Sequence, residues 1–257
     1  MIAERDSETS VDAVLGGRLR LRQPLAGHRV GHDAILLAAA TAALPGEHAV
    51  DLGAGVGAAG LALAHRVEGL RVTLVEIDPT LAALAAENAT LNNLQDRVTT
   101  LARDAGDQAA LAVAGFAPAS VDRVLMNPPF RDVRRQNVSP DPRRRLAHAA
   151  APGLIERWIA SAHFLLKAGG ALTLIFRADG LDEVLAALAG GFGDVAVLPV
   201  LPRPDKPAIR VLVRATKGGR GTRVERPALI LNDLHNRPAA AAEAVLRAGE
   251  TLKLSAE

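Results

Sequence analysis

The segment Asn127-Pro128-Pro129-Phe130 contains residue types that suit group transfer to a planar amine. The side-chain oxygen of Asn127 and the carbonyl of Pro128 are two acceptors. Together they can hold the two N–H groups of an exocyclic amine and aim its nitrogen. Two consecutive prolines stiffen the turn and preorganise the acceptors. Phe130 offers a face on which a flipped-out base can stack. We therefore predict that Asn127, Pro128 and Phe130 are catalytic residues.

A glycine-rich segment, Asp51-Leu52-Gly53-Ala54-Gly55-Val56-Gly57, follows a short apolar run and precedes a helical pattern. Glycines let a backbone approach a ligand closely, and a helix N-terminus supplies free N–H groups. We expect a cofactor to bind at Asp51, Gly53, Gly55 and Gly57. A tight turn without a ligand is the alternative. The spacing of Gly55, Gly57 and Gly60 also fits a dinucleotide-binding turn. This segment therefore does not separate a nicotinamide enzyme from a methyltransferase.

Three further acids follow predicted strands. Glu76 can accept both hydroxyls of a cofactor ribose, whereas Asp78 directly before Pro79 is suited to cap the next helix. Asp104 can accept the N6–H of a cofactor adenine, although an aspartate in a turn is often structural. We predict that Glu76 and Asp104 bind cofactor, that Asn127 at the neighbouring strand end also contacts it, and that Asp78 caps a helix.

Strand and helix patterns alternate along the chain, which predicts an α/β fold with a parallel sheet and helices on both faces. A short strand or a hairpin is expected over Val14–Gln23, with Gly16-Gly17 as the turn. The predicted strands are His48–Leu52, Arg71–Glu76, Val98–Leu101, Val121–Met126, Ala171–Phe176, Val195–Pro199 and Ile209–Val213. The predicted helices are Ala34–Leu44, Ala58–Arg66, Pro79–Asn93, Leu154–Leu166, Leu181–Leu188 and Ala239–Ala248. Ligands of such sheets bind beyond the carboxyl ends of the strands, where the acids and the Asn127 segment lie.

The composition is that of a globular protein, with 49% hydrophobic and 23% charged residues, no Cys and a net charge of +2. We expect one domain over 1–257, with a lead (1–46), a catalytic core (47–215) and a C-terminal extension (216–257). The absence of cysteine excludes disulfides and thiolate metal sites. The polar start and the lack of a long apolar run favour a cytoplasmic protein without membrane contact.

These motifs together resemble the class I S-adenosylmethionine-dependent methyltransferases, and the resemblance runs from Asp33 to about Val213. The lead Gly27–Leu37, the segment Lys206–Val213 and the C-terminal Leu229–Asn232 are similar to the bacterial tRNA1(Val) adenine-N6 methyltransferases. The resemblance implies a Rossmann-like, seven-stranded, mostly parallel sheet with an antiparallel last strand. It also implies S-adenosylmethionine as cofactor and an adenine of tRNA as substrate. By the same resemblance Asp33 lies near the methionine end of the cofactor; a plain helix N-cap is the alternative.

Two groups of basic residues predict contacts with RNA phosphates. The first follows the Asn127 segment directly and comprises Arg131, Arg134, Arg135, Arg143, Arg144 and Arg145. The second comprises Arg214, Lys217, Arg220, Arg223 and Arg226. We expect RNA, in particular tRNA, as the partner. His28 and His32 have an i, i+4 spacing, but a glycine and a turn lie between them and no carboxylate partner is obvious, so no metal is expected.

Other readings of the motifs remain open at this stage. The same chemistry suits other planar amines, such as guanine N2 in rRNA or a glutamine amide in a release factor. A non-catalytic RNA-binding protein with a residual cofactor pocket is a second alternative. A nicotinamide oxidoreductase is a third, and it leaves the Asn127 segment unexplained.

Overall fold

The structure, a computed structural model, describes residues 8–26, 29–129 and 153–254. Its strands are β1 (Thr9–Val14), β2 (Leu19–Pro24), β3 (His48–Leu52), β4 (Arg71–Glu76), β5 (Val98–Ala102), β6 (Val121–Met126), β7 (Leu166–Arg177), β8 (Phe192–Leu201), β9 (Arg210–Lys217), β10 (Val224–Glu225) and β11 (Leu229–Ile230). Its helices are α1 (His32–Ala40), α2 (Ala58–Arg66), α3 (Pro79–Leu91), α4 (Gln108–Val113), α5 (Leu154–Leu165), α6 (Leu181–Leu188) and α7 (Ala240–Leu246). Short 3-10 turns lie at Leu15–Gly17 and Ala178–Gly180.

The central sheet has the strand order β10-β8-β9-β7-β6-β3-β4-β5, and β11 also pairs with β8. Strand β9 runs antiparallel to both of its neighbours, β7 and β8, while β3 to β7 pair in parallel. The seven strands β3 to β9 therefore confirm the expected class I sheet with an antiparallel last strand. Two-residue strands β10 and β11 extend the sheet at β8.

Helices cover both faces of this sheet, as expected. One apolar cluster joins α1, α2, α3 and α7 with the hairpin β1–β2. The other joins α4, α5 and α6 on the opposite face. The helices are divided between the two faces because crossovers between parallel strands are right-handed. The chain moves outward from β3 to β5 and then returns to the other side of β3, so the later helices cover the opposite face. Among the described residues, no helix is long and apolar enough to cross a membrane.

Helix α1 differs from its predicted bounds at both ends. It begins at His32 with Gly31 as the N-cap, so the alternative of Asp33 as N-cap is wrong. It ends at Ala40 and not at Leu44, because Thr41 turns to an extended conformation. The guanidinium of Arg66 donates to the carbonyls of Ala38 and Thr41 at 2.8 and 2.6 Å and so satisfies the end of the helix. This contact with α2 lies beyond the reach of a local sequence pattern.

Candidate active site

The carboxyl ends of three neighbouring strands stop at one level. Leu52 of β3 pairs in register with Val75 of β4 and with Met126 of β6. Gly53, Glu76 and Asn127 are each the next residue along the chain, so they form one row across the sheet edge. Adjacent strands lie about 4.8 Å apart, which puts the backbones of Glu76 and Asn127 about 10 Å apart with the glycine-rich turn between them.

The glycine-rich turn is held against β4 by its own backbone. The N–H groups of Gly53 and Ala54 both donate to the carbonyl of Val75, at 2.8 and 2.9 Å. Gly53, Gly55 and Gly57 have φ values of +73°, +57° and +89°, which disfavour residues with a side chain. Gly57 is the N-cap of α2 and supplies no capping side chain. The turn thus directs the start of α2 toward the strand ends.

Close packing also explains why position 53 is a glycine. A Cβ atom at Gly53 would lie 2.1 Å from Cη2 of Trp158, whose indole packs beneath the turn from α5. At Gly55 nothing lies within 4 Å of such an atom. One side of the turn is therefore sealed by Trp158, while the side at Gly55 is open to a ligand.

Asp51 is 2% exposed and its Oδ2 accepts a hydrogen bond of 2.8 Å from the N–H of Gly60. It therefore ties β3 to the first turn of α2 beneath the glycines. Burial raises the pKa of its carboxyl group to about 7, although the hydrogen bond from Gly60 opposes the shift. Because the carboxyl group is covered, the structure gives Asp51 a supporting position under the turn.

Glu76 is 8% exposed and bridges the turn to the next helix. Its Oε2 accepts from the N–H of Gly55 at 2.8 Å, and its Oε1 accepts from the N–H of Asp78 at 2.9 Å. Burial raises its pKa, while these two backbone donors lower it. The N–H of Ile77 acts on the same carboxylate and also lowers its pKa. A carboxylate has about four lone-pair sites, so these three backbone donors do not occupy all of them. Glu76 is thus oriented from the protein side and has acceptor capacity left for a ligand.

The other two acids at this edge have local backbone partners. Asp78 caps α3, because its Oδ1 accepts from the N–H groups of Thr80 and Leu81 at 2.7 and 3.3 Å; this confirms its predicted role. Asp104 lies two residues beyond β5, and its Oδ1 accepts from the N–H of Gly106 at 2.8 Å. That bond uses one oxygen of a half-buried carboxylate.

Of the predicted catalytic residues, the structure describes Asn127 and Pro128. Asn127 is half-buried and Pro128 is buried at the end of β6. Phe130 and the first basic group (Arg131, Arg134, Arg135, Arg143, Arg144 and Arg145) lie outside the described residues, as does His28.

Asp33 forms an ion pair across the fold. Its Oδ2 accepts from Nε of Arg210 at 2.8 Å, and both side chains are about one quarter exposed. Arg210 begins β9 opposite Arg177, the last residue of β7, so the pair lies at the same sheet edge as Glu76. Asp33 therefore holds the first turn of α1 at the site.

Within the second basic group, Arg214 pairs with Thr173 inside the sheet, and Lys217 lies toward the opposite edge. Strand β9 is antiparallel, so its end lies near the start of β7: Thr216, the residue before Lys217, pairs with Ala171. The ammonium of Lys217 donates to the carbonyls of His163 and Leu166 at 2.6 and 2.7 Å, and burial lowers its pKa. Because the ammonium is engaged by these carbonyls, the structure does not favour the predicted contact of Lys217 with RNA phosphate. Its role in the structure is to satisfy carbonyls at the end of α5.

The sequence motifs do not indicate three residues that support this site in the structure: Trp158, Arg210 and Asn88. Trp158 is the only tryptophan of a chain with 2% aromatic residues, and that rarity was its one signal. Asn88 lies on the buried face of α3, whose other buried residues are apolar, and a buried amide needs partners. Arg210 gave no signal of its own, because its partner Asp33 is 177 residues away.

Comparison with known proteins agrees with this architecture. The methyltransferase small domain family matches residues 28–199, which is more than half of the chain. The chain belongs to the methyltransferase small domain family. Its cofactor is S-adenosylmethionine. The nicotinamide oxidoreductase alternative is therefore excluded.

Individual relatives of this methyltransferase differ in what they act on. A tRNA1(Val) (adenine(37)-N6)-methyltransferase of Porphyromonas gingivalis is 33% identical over 161 residues, covering 61% of each protein. A release factor glutamine methyltransferase of Chlorobaculum tepidum is 30% identical over 163 residues, covering 61% of this chain and 54% of that one. The crystal structure of a predicted O-methyltransferase from Agrobacterium tumefaciens is 31% identical with a TM-score of 0.72, covering 86% of this chain and 98% of that one. The matches thus span less than two thirds of either curated relative.

Proposed function

We propose that this methyltransferase transfers the methyl group of S-adenosylmethionine to N6 of an adenine in tRNA. The position of Asn127 carries the proposal, since it continues β6 at the level of Gly53 and Glu76 and is followed by a buried proline. The 33% identical relative that acts on adenine N6 of tRNA supports the choice of substrate.

The arrangement of the strand ends fits the cofactor. Glu76 would accept the ribose hydroxyls with its remaining lone pairs, and the open side of the turn at Gly55 would admit the cofactor against the backbone. Asp104 would accept from the adenine amine with its second oxygen, and Asp33 would lie near the methionine end. Gly53, Gly57 and the covered Asp51 would fix the shape of the turn. When bound, the cofactor supplies an electrophilic methyl group. The residues of the chain bind the cofactor and orient the substrate amine.

Asn127 and the carbonyl of Pro128 would orient the substrate amine. Within the described ranges the Asn127 side chain makes no hydrogen bond, so its oxygen remains available as an acceptor. Two acceptors aimed at one nitrogen favour the partly positive, pyramidal nitrogen that forms during transfer. This design needs no side-chain base of tuned pKa, because the nitrogen becomes acidic once methylated. Phe130 would stack on the base.

The test is a methyl-transfer assay with labelled S-adenosylmethionine on separate tRNA, rRNA and release-factor fractions. We expect N6-methyladenosine in the tRNA fraction, identified by mass. Asn127→Ala should lower turnover about 100- to 1000-fold and leave S-adenosylhomocysteine affinity within a few-fold. More than a tenth of normal turnover in this variant would contradict the role of Asn127. Methylated guanine in rRNA or methylated glutamine in a release factor would replace adenine as the substrate.

The RNA contact is proposed for the basic group that follows Phe130. Each phosphate contact adds roughly 0.7–0.9 to the slope of log K against log salt. Replacing Arg143, Arg144 and Arg145 with Ala together should therefore flatten the slope for tRNA binding by about 2. Cofactor affinity serves as the control and should not change. A slope equal to that of the unmodified protein would show that these three residues do not meet phosphate.

A further inference from the structure

The hairpin β1–β2 is docked on helix α3 through two asparagine side chains one helical turn apart. Asn92 accepts from the N–H of Arg20 at 2.9 Å and donates to its carbonyl at 2.7 Å. Asn88 accepts from the N–H of Arg22 at 2.6 Å and donates to its carbonyl at 3.0 Å. Arg20 and Arg22 are two apart on β2, so these groups belong to the strand edge that faces away from β1. The two amides pair with that edge as a neighbouring strand would.

Asn88 makes one contact that Asn92 does not. Its Nδ2 also donates to the carbonyl of Val56 at 3.0 Å, in the glycine-rich turn. Asn88 is fully buried, at 0% exposed, and this bond occupies the second N–H of its amide. One side chain therefore joins the hairpin, helix α3 and the turn.

The hydrogen bond from Asn88 to Val56 acts where the backbone of the turn has the greatest conformational freedom. Val56 lies between Gly55 and Gly57, both of which have positive φ and low conformational restriction. On one side, Glu76 holds the N–H of Gly55. On the other, Asn88 holds the carbonyl of Val56. The peptide unit that carries the carbonyl of Val56 is also held within the turn, because the N–H of Gly57 donates to the carbonyl of Ala54 at 2.8 Å. Asn88 adds the contact that ties this peptide unit to helix α3.

We propose that Asn88 is a positioning residue for cofactor binding, which fixes the glycine-rich turn and couples it to the docked hairpin. Asn88 does not touch the cofactor; it acts through Val56. The inference rests on the proposed placement of the cofactor at the turn and Glu76, and it is independent of whether the methylated amine is adenine.

The experiment compares Asn88→Ala with Asn92→Ala by calorimetric titration with S-adenosylhomocysteine. Both variants lose two hydrogen bonds to β2, but only Asn88→Ala loses the bond to the turn. We expect Asn88→Ala to weaken binding about 2- to 10-fold, as loss of one net hydrogen bond would, and Asn92→Ala to leave it unchanged. In turnover, Asn88→Ala should raise KM for S-adenosylmethionine and leave kcat near normal. Equal affinities of the two variants would overturn the inference.

Two further measurements keep the result interpretable. If Asn88→Ala does not fold, Asn88→Ser is used, since its short side chain is polar but does not span to Val56. Glu76→Ala in the same titration tests the pocket itself. If Glu76→Ala binds normally, the proposed cofactor placement fails and the inference fails with it. If Glu76→Ala loses binding while the Asn88 variants bind normally, the inference alone is wrong.

Discussion

The free energy of unfolding should depend on pH through the carboxyl group of Asp51, and Asp51→Asn should remove that dependence. Asp51 is 2% exposed, and its single strong partner is the N–H of Gly60. An asparagine oxygen can accept the same hydrogen bond in the same place. The substitution therefore removes the ionisation and keeps the contact with α2.

The sign and size follow from the raised pKa. Burial raises the pKa of Asp51 from 3.8 to about 7, so between these values the folded protein retains a proton that the unfolded chain has lost. The stabilisation from this retained proton is fully present below pH 4, and it is lost as the pH rises toward 7. A shift of roughly three units at 1.36 kcal/mol each gives a loss of about 4 kcal/mol. This is an upper value, since a buried site relaxes when it ionises.

The assay is urea unfolding at several pH values from 4 to 8. Asp51→Asn should flatten the decline in stability with pH by up to about 4 kcal/mol relative to the unmodified protein. Asp107→Asn is the matched control, because Asp107 also accepts a helix N–H, from Ala110 at 2.9 Å, but lies exposed. Any slope that remains belongs to other groups with shifted pKa values, among them Glu76, whose pKa is also raised by burial, and His48, whose pKa is lowered by burial. An identical pH profile for Asp51→Asn and the unmodified protein would refute the reasoning.

Two further predictions concern stability. Gly53→Ala should destabilise the fold by about 2–4 kcal/mol, because the added methyl group clashes with Trp158 and the residue has a positive φ. Gly55→Ala should cost about 1–2 kcal/mol, because Gly55 has a positive φ but no neighbour within 4 Å of the added atom. Urea unfolding measures both, and equal losses would contradict the packing role of Trp158. Lys217→Met should cost about 1–3 kcal/mol, because two carbonyls lose a charged donor, and should leave the salt slope of tRNA binding unchanged. A flatter slope would restore the phosphate contact first predicted for Lys217.

The local sequence was sufficient to predict the candidate residues at the strand ends, because each of them directly follows or ends a strand that the sequence pattern predicts. The glycines at 53, 55 and 57 follow β3 directly, Glu76 ends β4, and Asn127 is the next residue after β6. Parallel strands with right-handed crossovers bring such ends to one edge, so the alternation of strands and helices also predicted which residues would meet. A seven-stranded, mostly parallel sheet with an antiparallel last strand is implied by the resemblance to a known family and agrees with the structure.

The tertiary structure decided what holds those residues in place, because the supporting contacts join segments far apart in the chain. Trp158 closes the space beneath Gly53, Asn88 reaches from α3 to the turn and the hairpin, and Arg210 pairs with Asp33 across the fold. No helical or strand period encodes a partner 32 to 177 residues away. Burial is likewise a property of the assembled core, and it raises the pKa of Asp51 to about 7.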